Sequence, residues 1–242
     1  DHIHFGGGGG GLDLLDQTAT APQTIDLSGN VISAVPITGD ASFHHHAQSL
    51  GTNQSTALIY APNVIADEDV HGSELLHFDL ETGEIIWSWN TQQAIDSAAI
   101  DLDLSILPNA IHPNWVQKRK EDYLISLFHN KSVISVSNAT GEVQWRLGMN
   151  GDFLLHESDG SVANTQRWFQ GIHGAHFSGD SLLVYDNLHS PNNDNDYFSR
   201  VVRIALDEIN MHATITGEYT EPDWIEPILG SVEAIGGNDI LV

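Results

Sequence analysis

The residues of this chain that could do chemistry are mostly histidines, of which it has 14. His45, His112 and His173 recur at intervals of roughly 60 residues, and each stands before a strand-rich segment. A neutral imidazole is a nucleophile and general base near neutral pH, and its protonated form stabilises a developing anion. We therefore predict that these histidines form a group-transfer site.

Two other roles remain open for the same side chains. A ring of imidazoles also binds transition metals through nitrogen. Single histidines more often cap a turn or hydrogen-bond inside a wall of the protein. Only a common site for all three separates the functional interpretation from the structural one.

The segments around the histidines read as short strands joined by turns. A hairpin is predicted over residues 23–35 from its β-branched residues around a Gly/Asn turn. A helix is predicted over residues 91–104, the one stretch with helical character. Further strands are predicted at 57–60, 75–80, 84–89, 123–128, 132–137, 142–147, 182–185, 200–206 and 213–219, and a last unit opens at 231–242.

One pattern repeats within these hairpins. Residues 79–87 and 137–145 both read x-x-x-Thr-Gly-Glu-apolar-x-Trp. A recurrence of this length, with about four short strands per unit, is typical of propeller blades. We expect the Thr-Gly pair to turn the hairpin between outer strands and the Trp to fill the gap between neighbouring blades.

A propeller would bring the histidines together. The innermost strand of each blade borders the central channel, so equivalent positions converge on the axis. The fold class predicted is therefore all-β, a β-propeller with about four to five blades covered. Two unrelated hairpins with similar turns are the alternative.

Composition restricts the partners. The net charge is −25, with 8 basic against 33 acidic residues. Nucleic acids and anionic membranes need a basic face, which so few cations can hardly build. There is no cysteine, which excludes thiolate catalysis and disulfides. No apolar run approaches the roughly 20 residues that span a bilayer, and no signal peptide is seen.

The domain organisation follows from a tract of glycines. Residues 6–11 are all Gly, which favours a flexible linker. We assign residues 1–22 to a Gly-rich N-terminal segment and 23–242 to the propeller, which we expect to be incomplete at its C-terminus.

Several motifs resemble the arylsulfotransferase family. The blade-opening segments of that family are similar to residues 44–48, 111–116 and 172–175. Its Thr-Gly-Glu-x-x-Trp-Arg-Leu-Gly segment is similar to residues 140–148. Residues 184–187 and the pair Ser199-Arg200 also match, and the resemblance covers about residues 24–242.

The resemblance implies a six-bladed propeller that moves a sulfuryl group between phenols without a nucleotide. By position, His173 would be the nucleophile that is transiently sulfated, with His45 and His112 holding sulfate or acting as acid and base. Substrate-binding roles would fall to His44, His129, Arg200 and Asn114. No metal and no required cofactor are implied.

One departure concerns the anion site. The family has Arg-His where this chain has Phe128-His129. Arg200 or His129 would then have to supply the missing donor. If neither does, the chain is better interpreted as a non-enzymatic extracellular propeller, acting as a binding or structural assembly module.

The remaining expectations concern ions, partners and location. The oxygen-rich loop 192–196 is a candidate Ca²⁺ site, with a solvated loop as the alternative. Partners would be a small phenolic or sulfated substrate, and a homo-oligomer or larger assembly. We expect a secreted, periplasmic or extracellular protein.

Overall fold

The computed structural model describes most of the chain from residue 42 onward and three short strands before it. The described residues are 3–5, 23–25, 31–34, 42–50, 54–61, 72–97, 100, 111–190, 197–236 and 239–242. Their strands form several antiparallel sheets, which confirms the all-β class. None of the helices found in these residues is long and apolar enough to cross a bilayer.

The first sheet contains three short strands. β1 (Ile3–Phe5) pairs with β2 (Gln23–Ile25), and β2 pairs with β3 (Val31–Ala34), all antiparallel. The β2–β3 pair is the hairpin that the sequence predicts. β1 belongs to the segment assigned to the N-terminal 22 residues, yet it joins this sheet. The Gly tract itself lies outside the described residues.

The second sheet is a four-stranded antiparallel meander in chain order. Its strands are β4 (Ser42–Ser49), β5 (Gln54–Ala61), β6 (Gly72–Asp79) and β7 (Ile85–Asn90). Helix α1 (Thr91–Asp96) follows directly and is capped by Asn90, whose side chain accepts from the Gln93 backbone. The sequence predicts a helix over residues 91–104, but this helix is shorter and ends at Asp96, with Ser97 as its C-cap. Residues 98–99 and 101–110 lie outside the described part.

The third sheet repeats this arrangement. It contains β8 (Pro113–Arg119), β9 (Asp122–Leu127), β10 (Ser132–Ser137) and β11 (Val143–Gly148).

The fourth sheet has five strands. β12 (Leu154–His156) runs parallel to β16 at its outer edge, and the other neighbours are antiparallel. A 3-10 helix, Thr165–Arg167, precedes the remaining strands. They are β13 (Ile172–Ser178), β14 (Ser181–His189), β15 (Phe198–Asp207) and β16 (His212–Tyr219), and a last hairpin is formed by β17 (Glu233–Gly236) and β18 (Asp239–Leu241).

The repeated Thr-Gly motif forms the turn between the outer two strands in both meanders. Gly83 and Gly141 have φ of 73° and 74°, a left-handed conformation that favours glycine. Trp87 stacks on Tyr123 of the next sheet, with ring centroids 4.4 Å apart. Trp145 donates its Nε1–H to Glu208 of the sheet that follows, at 3.1 Å. The prediction that these tryptophans bridge neighbouring sheets is confirmed.

The core lies in layers between successive sheets. Side chains alternate along a strand, so each inner strand serves two layers. In β9, Ile125 packs toward the second sheet and Leu124 packs toward the fourth. A third layer, which contains Tyr185 and Val232, joins the fourth sheet to the last hairpin. The first strands β4, β8 and β13 are adjacent in space, in that order.

Candidate active site

The first strands of the three large sheets all have a bulge-like irregularity in their pairing at or near their histidines. The pairing register shifts between Phe43 and Ala47 in β4, between Pro113 and Trp115 in β8, and between His173 and His176 in β13. A bulge bends a strand and re-aims its side chains, and bulges recur next to active sites.

Two bulge residues have left-handed backbones. Gly174 has a φ of 59°, which glycine adopts at no steric cost. His45 has a φ of 56°, which is uncommon for a residue with a Cβ and is held by the surrounding structure. His45, which lies against His112, therefore has a strained backbone conformation.

Polar contacts between sheets fix these strands against one another. The Asn114 side chain donates to the Ile172 carbonyl at 2.6 Å. The Ala175 backbone N–H donates to Ser126 Oγ at 3.2 Å, which joins β13 to β9. Because these bonds cross from sheet to sheet, they set the spacing of the histidines as well as the packing.

Four predicted imidazoles lie close together, and three of them contact one phenyl ring. His45 Nε2 and His112 Nε2 are 2.9 Å apart. The His112 and His129 ring centroids are 5.3 Å apart, nearly perpendicular. Phe128 lies between them and the last histidine, with its centroid 5.7 Å from His112 and 5.0 Å from His173. Residues far apart in the sequence thus meet in one cluster, which we call the imidazole cluster: His45, His112, His129 and His173.

The His45–His112 contact requires one donor and one acceptor. A nitrogen pair at this distance shares a proton, so one Nε2 carries the hydrogen and the other accepts it. Although part of the His45 side chain reaches solvent, loss of hydration, followed by the nearby charge of His173, lowers its pKa to about 4. His45 is therefore uncharged at neutral pH.

The ring orientation of His173 is set by Asn187. His173 Nδ1 is 2.7 Å from Asn187 Oδ1, and the Asn187 amide nitrogen donates to the carbonyls of Glu226 and Leu229. Those two bonds fix which end of the amide is oxygen. Because Oδ1 can only accept, His173 Nδ1 carries the proton and Nε2 keeps a lone pair.

Burial favours the same state of His173. The residue is 7% exposed. Loss of hydration lowers its pKa, and this outweighs the opposing effects of the Asn187 hydrogen bond and the Glu226 charge. His173 is consequently neutral at neutral pH, with Nε2 available as a nucleophile.

Arg200 occupies a different environment. It is fully buried, and its Nε donates to Asp186 at 2.9 Å. Its other two nitrogens donate to Glu218 at 3.1 Å and to the Arg167 carbonyl at 2.7 Å. Every bond that the structure shows for this guanidinium goes to the protein, and none goes to the imidazole cluster. The expected substrate-binding role is therefore not what its contacts indicate; they make it a fold-stabilising residue.

The other predicted binding residues differ in what the structure shows. Asn114 is 3% exposed; its amide nitrogen is engaged with Ile172, and its Oδ1 is buried with no hydrogen-bond partner. His129 belongs to the imidazole cluster through His112. The backbone of His44 lies in β4, while its side chain lies outside the described residues.

Metal ligation finds no support in the described part of the chain. No group of three or more His, Cys, Asp or Glu side chains there is arranged to hold an ion. The candidate Ca²⁺ loop, residues 192–196, lies outside the described residues.

Sequence reasoning did not identify Asn187 as a site residue. Its position at the end of a resembling segment, residues 184–187, was the available signal. Its role depends on β13 and β14 pairing and on a contact to residues 226–229, which no local pattern reveals.

Comparison with known proteins identifies one family. The sequence model of the arylsulfotransferase family matches residues 13–242. No curated protein matches the chain. A crystal structure of a protein of unknown function from Bacteroides caccae superposes with a TM-score of 0.50 at 13% identity, covering 85% of this chain and 56% of that one. The chain thus spans little more than half the length of this similar structure.

Proposed function

The chain belongs to the arylsulfotransferase family, and we propose that it transfers a sulfuryl group from an aryl sulfate to a phenol through His173. The single observation that carries the proposal is the hydrogen bond from His173 Nδ1 to Asn187 Oδ1. It directs the one lone pair of the neutral ring to Nε2, which is the state that a nitrogen nucleophile needs.

The first half-reaction forms a sulfated histidine. The Nε2 lone pair of His173 attacks sulfur, an S–N bond forms, and the bond from sulfur to the aryl oxygen breaks. The leaving phenolate keeps that electron pair, accepts a hydrogen bond from the His45–His112 pair and takes its proton from water. The hydrogen bond to Asn187 steadies the positive charge that develops on the His173 ring.

The second half-reaction restores the enzyme. The His45–His112 pair accepts the proton of the incoming phenol and releases it to water when the cycle closes. The phenol oxygen attacks sulfur, and the S–N bond breaks with its electron pair returning to His173 Nε2. No oxidant, nucleotide or metal enters the balance.

Transfer also needs donors for the sulfuryl oxygens. His112, His129 and His173 all contact the ring of Phe128, so N–H groups of His112 and His129 are the candidate donors. No fixed cation stands at position 128, and Arg200 is bonded elsewhere. We therefore expect weaker binding of the sulfate group than an arginine at that position would give.

The fold proposed for this activity is a β-propeller, six-bladed when complete. Its support is the stacking of successive sheets with β4, β8 and β13 side by side. In such a fold the imidazole cluster would lie at one level of the central channel. An exported location, periplasmic or extracellular, is proposed with it and is consistent with the lack of cysteine.

The proposal is tested with a chromogenic aryl sulfate and a phenol acceptor. We expect acceptor-dependent release of the chromophore, lost in His173→Ala. His212→Ala is the matched control, because His212 is exposed on the outer strand β16, and it should retain activity. Absence of turnover in a folded protein that binds neither donor nor acceptor would contradict the proposal.

A second candidate function is a non-enzymatic binding or assembly module. The observation that favours it is Phe128, which places an apolar ring where the family has a cation, in contact with His173. Under this alternative the aryl sulfate would bind and remain intact, and His173→Ala would change binding without any turnover to lose.

A further inference from the structure

A cavity lies beside the imidazole cluster, and the proposed reaction does not use it. Its volume is about 270 Å³. The strands β4, β8, β13 and β17 border it with His46, Trp115, His176 and Glu233. His46 follows His45 in β4, and Trp115 and His176 each come three residues after a histidine of the cluster. The cavity therefore lies one to three residues further along the same strands than the imidazole cluster.

The wall of this cavity is rigid. His46 stacks on Trp115, with ring centroids 3.6 Å apart and planes 18° from parallel. The Gln117 side chain is locked to the Phe177 backbone, donating at 2.9 Å and accepting at 2.7 Å. Gln48 Oε1 accepts from the Lys118 backbone at 2.7 Å. These side chains hold the shape of the cavity.

The wall of the cavity contains a hydrogen-bond acceptor that no donor satisfies. His176 Nδ1 donates to the Gly174 carbonyl at 2.8 Å, so Nε2 of the neutral ring is an acceptor. This Nε2 is buried without a hydrogen-bond partner, in a residue that is 7% exposed. Glu233 Oε2 lies 3.8 Å from it, beyond hydrogen-bond distance.

The charged and titratable groups that line the cavity also favour a cationic ligand. Burial, followed by the nearby charge of His176, lowers the pKa of His46 to about 4, so His46 carries no charge at neutral pH. Among the described residues that line the cavity there is no Lys or Arg. The indole of Trp115 adds an aromatic surface of the kind that attracts cations.

We propose that this cavity binds a small primary ammonium ion. The N–H groups of the ligand would donate to His176 Nε2 and to the Glu233 carboxylate, and its alkyl part would lie against Trp115. An ammonium group has three donors and no acceptor, which complements the two acceptors. This site goes beyond sulfuryl transfer and shares no residue with the imidazole cluster.

The probe is propylammonium chloride, titrated into the isotopically labelled protein at mildly alkaline pH and physiological salt. We expect saturable NMR shifts of the His176 ring and the Trp115 indole N–H. Glu233→Gln should weaken binding about tenfold, as expected for loss of one charge-assisted hydrogen bond. Glu233 is on the surface side of the cavity, so this variant should fold. The matched control is Glu84→Gln, in the exposed turn before β7.

The controls separate a specific site from general attraction to an acidic protein. If Glu84→Gln weakens binding as much as Glu233→Gln, the net charge alone attracts the ion and the proposal is wrong. Propanol, which lacks the charge, should shift the same signals far less. Shifts produced by phenol but not by propylammonium would overturn the proposal and assign the cavity to the acceptor of the transfer reaction. Sulfuryl transfer is measured separately, so the two proposals can fail independently.

Discussion

Asp186 and Asn187 are consecutive residues of β14, and they serve opposite purposes. Asp186 accepts from Arg200 at 2.9 Å and from two backbone N–H groups, within a fully buried ion pair. Asn187 accepts from His173 at 2.7 Å and orients a neutral ring. Since neighbouring side chains on a strand point to opposite faces, one residue supports the fold and the next one supports the site.

The difference shows where the few cations of this chain are used. Arg167 and Arg200 both bind Glu218, and Arg167 also binds Glu157. The imidazole cluster has a phenyl ring and histidines instead, of which His45 and His173 have lowered pKa values. This strongly acidic protein has only 8 basic residues, and two of them, Arg167 and Arg200, form ion pairs that stabilise the fold. The hydrogen-bond donors of the candidate site are N–H groups that carry no permanent charge.

The largest expected effect comes from breaking the ion pair. Arg200→Met leaves Asp186 buried without its partner and should lower the free energy of unfolding by about 3–5 kcal/mol. Arg203→Met, on the same strand with a partly exposed side chain, should lower it by less than about 1 kcal/mol. Urea unfolding measures both. A normally stable Arg200→Met protein that had lost only activity would instead place the guanidinium at the substrate.

A smaller effect is expected from the neighbouring residue. Asn187→Leu removes the acceptor that fixes the His173 tautomer, and kcat should fall on the order of a hundredfold. Asn187→Asp places a negative charge on the same ring, which should raise the His173 pKa and move the acidic limb of the pH–rate profile upward. If both variants lower kcat without moving that limb, Asn187 has a structural role only.

The smallest expected effect is a difference in pH dependence between two groups, His46 in the cavity wall and Asp186 in the buried ion pair. Each should change the free energy of unfolding in its own pH range. The folded pKa of His46 is about 4 against 6.5 in the unfolded chain, so its neutral form favours folding. Stability from this group is complete above about 6.5 and declines as pH falls toward 4, by less than about 1.4 kcal/mol per pH unit. The ionised Asp186 has a lowered pKa because its bonds to His189 and Arg200 outweigh burial, so its contribution is lost only below the usual range near 3.8.

Urea unfolding across pH checks this separation. His46→Phe, which keeps an aromatic ring against Trp115, should reduce the decline between pH 6.5 and 4, to which His45 and His173 also contribute, and leave the more acidic loss unchanged. An unaltered decline in His46→Phe would mean that other groups cause it.

The local sequence predicted many of the strands and the gathering of the histidines, but it missed the first strands β4, β8 and β13, on or beside which the histidines lie. The Thr-Gly-Glu-x-x-Trp pattern predicted both the turns at Gly83 and Gly141 and the contacts of Trp87 and Trp145 with the next sheets. Periodic spacing predicted that His45, His112 and His173 would meet. These features depend on neighbours in sequence or on a repeat, and both are visible in one chain.

Long-range partners were not accessible in the same way. Arg200 was expected to bind substrate because the local sequence around an arginine does not reveal which groups accept its hydrogen bonds. Those acceptors are Asp186 on the paired strand, Glu218 on the strand beyond and the Arg167 carbonyl before β13. The orientation of His173 likewise depends on Asn187, whose amide nitrogen donates to the carbonyls of Glu226 and Leu229, about forty residues later in the chain.

Trapping the covalent intermediate tests the central claim most directly. The protein is mixed with an aryl sulfate in the absence of acceptor, quenched in alkali and digested for mass spectrometry. We predict that the peptide containing His173 gains the mass of one SO₃ group, and that adding phenol before the quench removes it. A sulfuryl group found on another histidine, or on none while the chromophore is still released, would contradict His173 as the nucleophile.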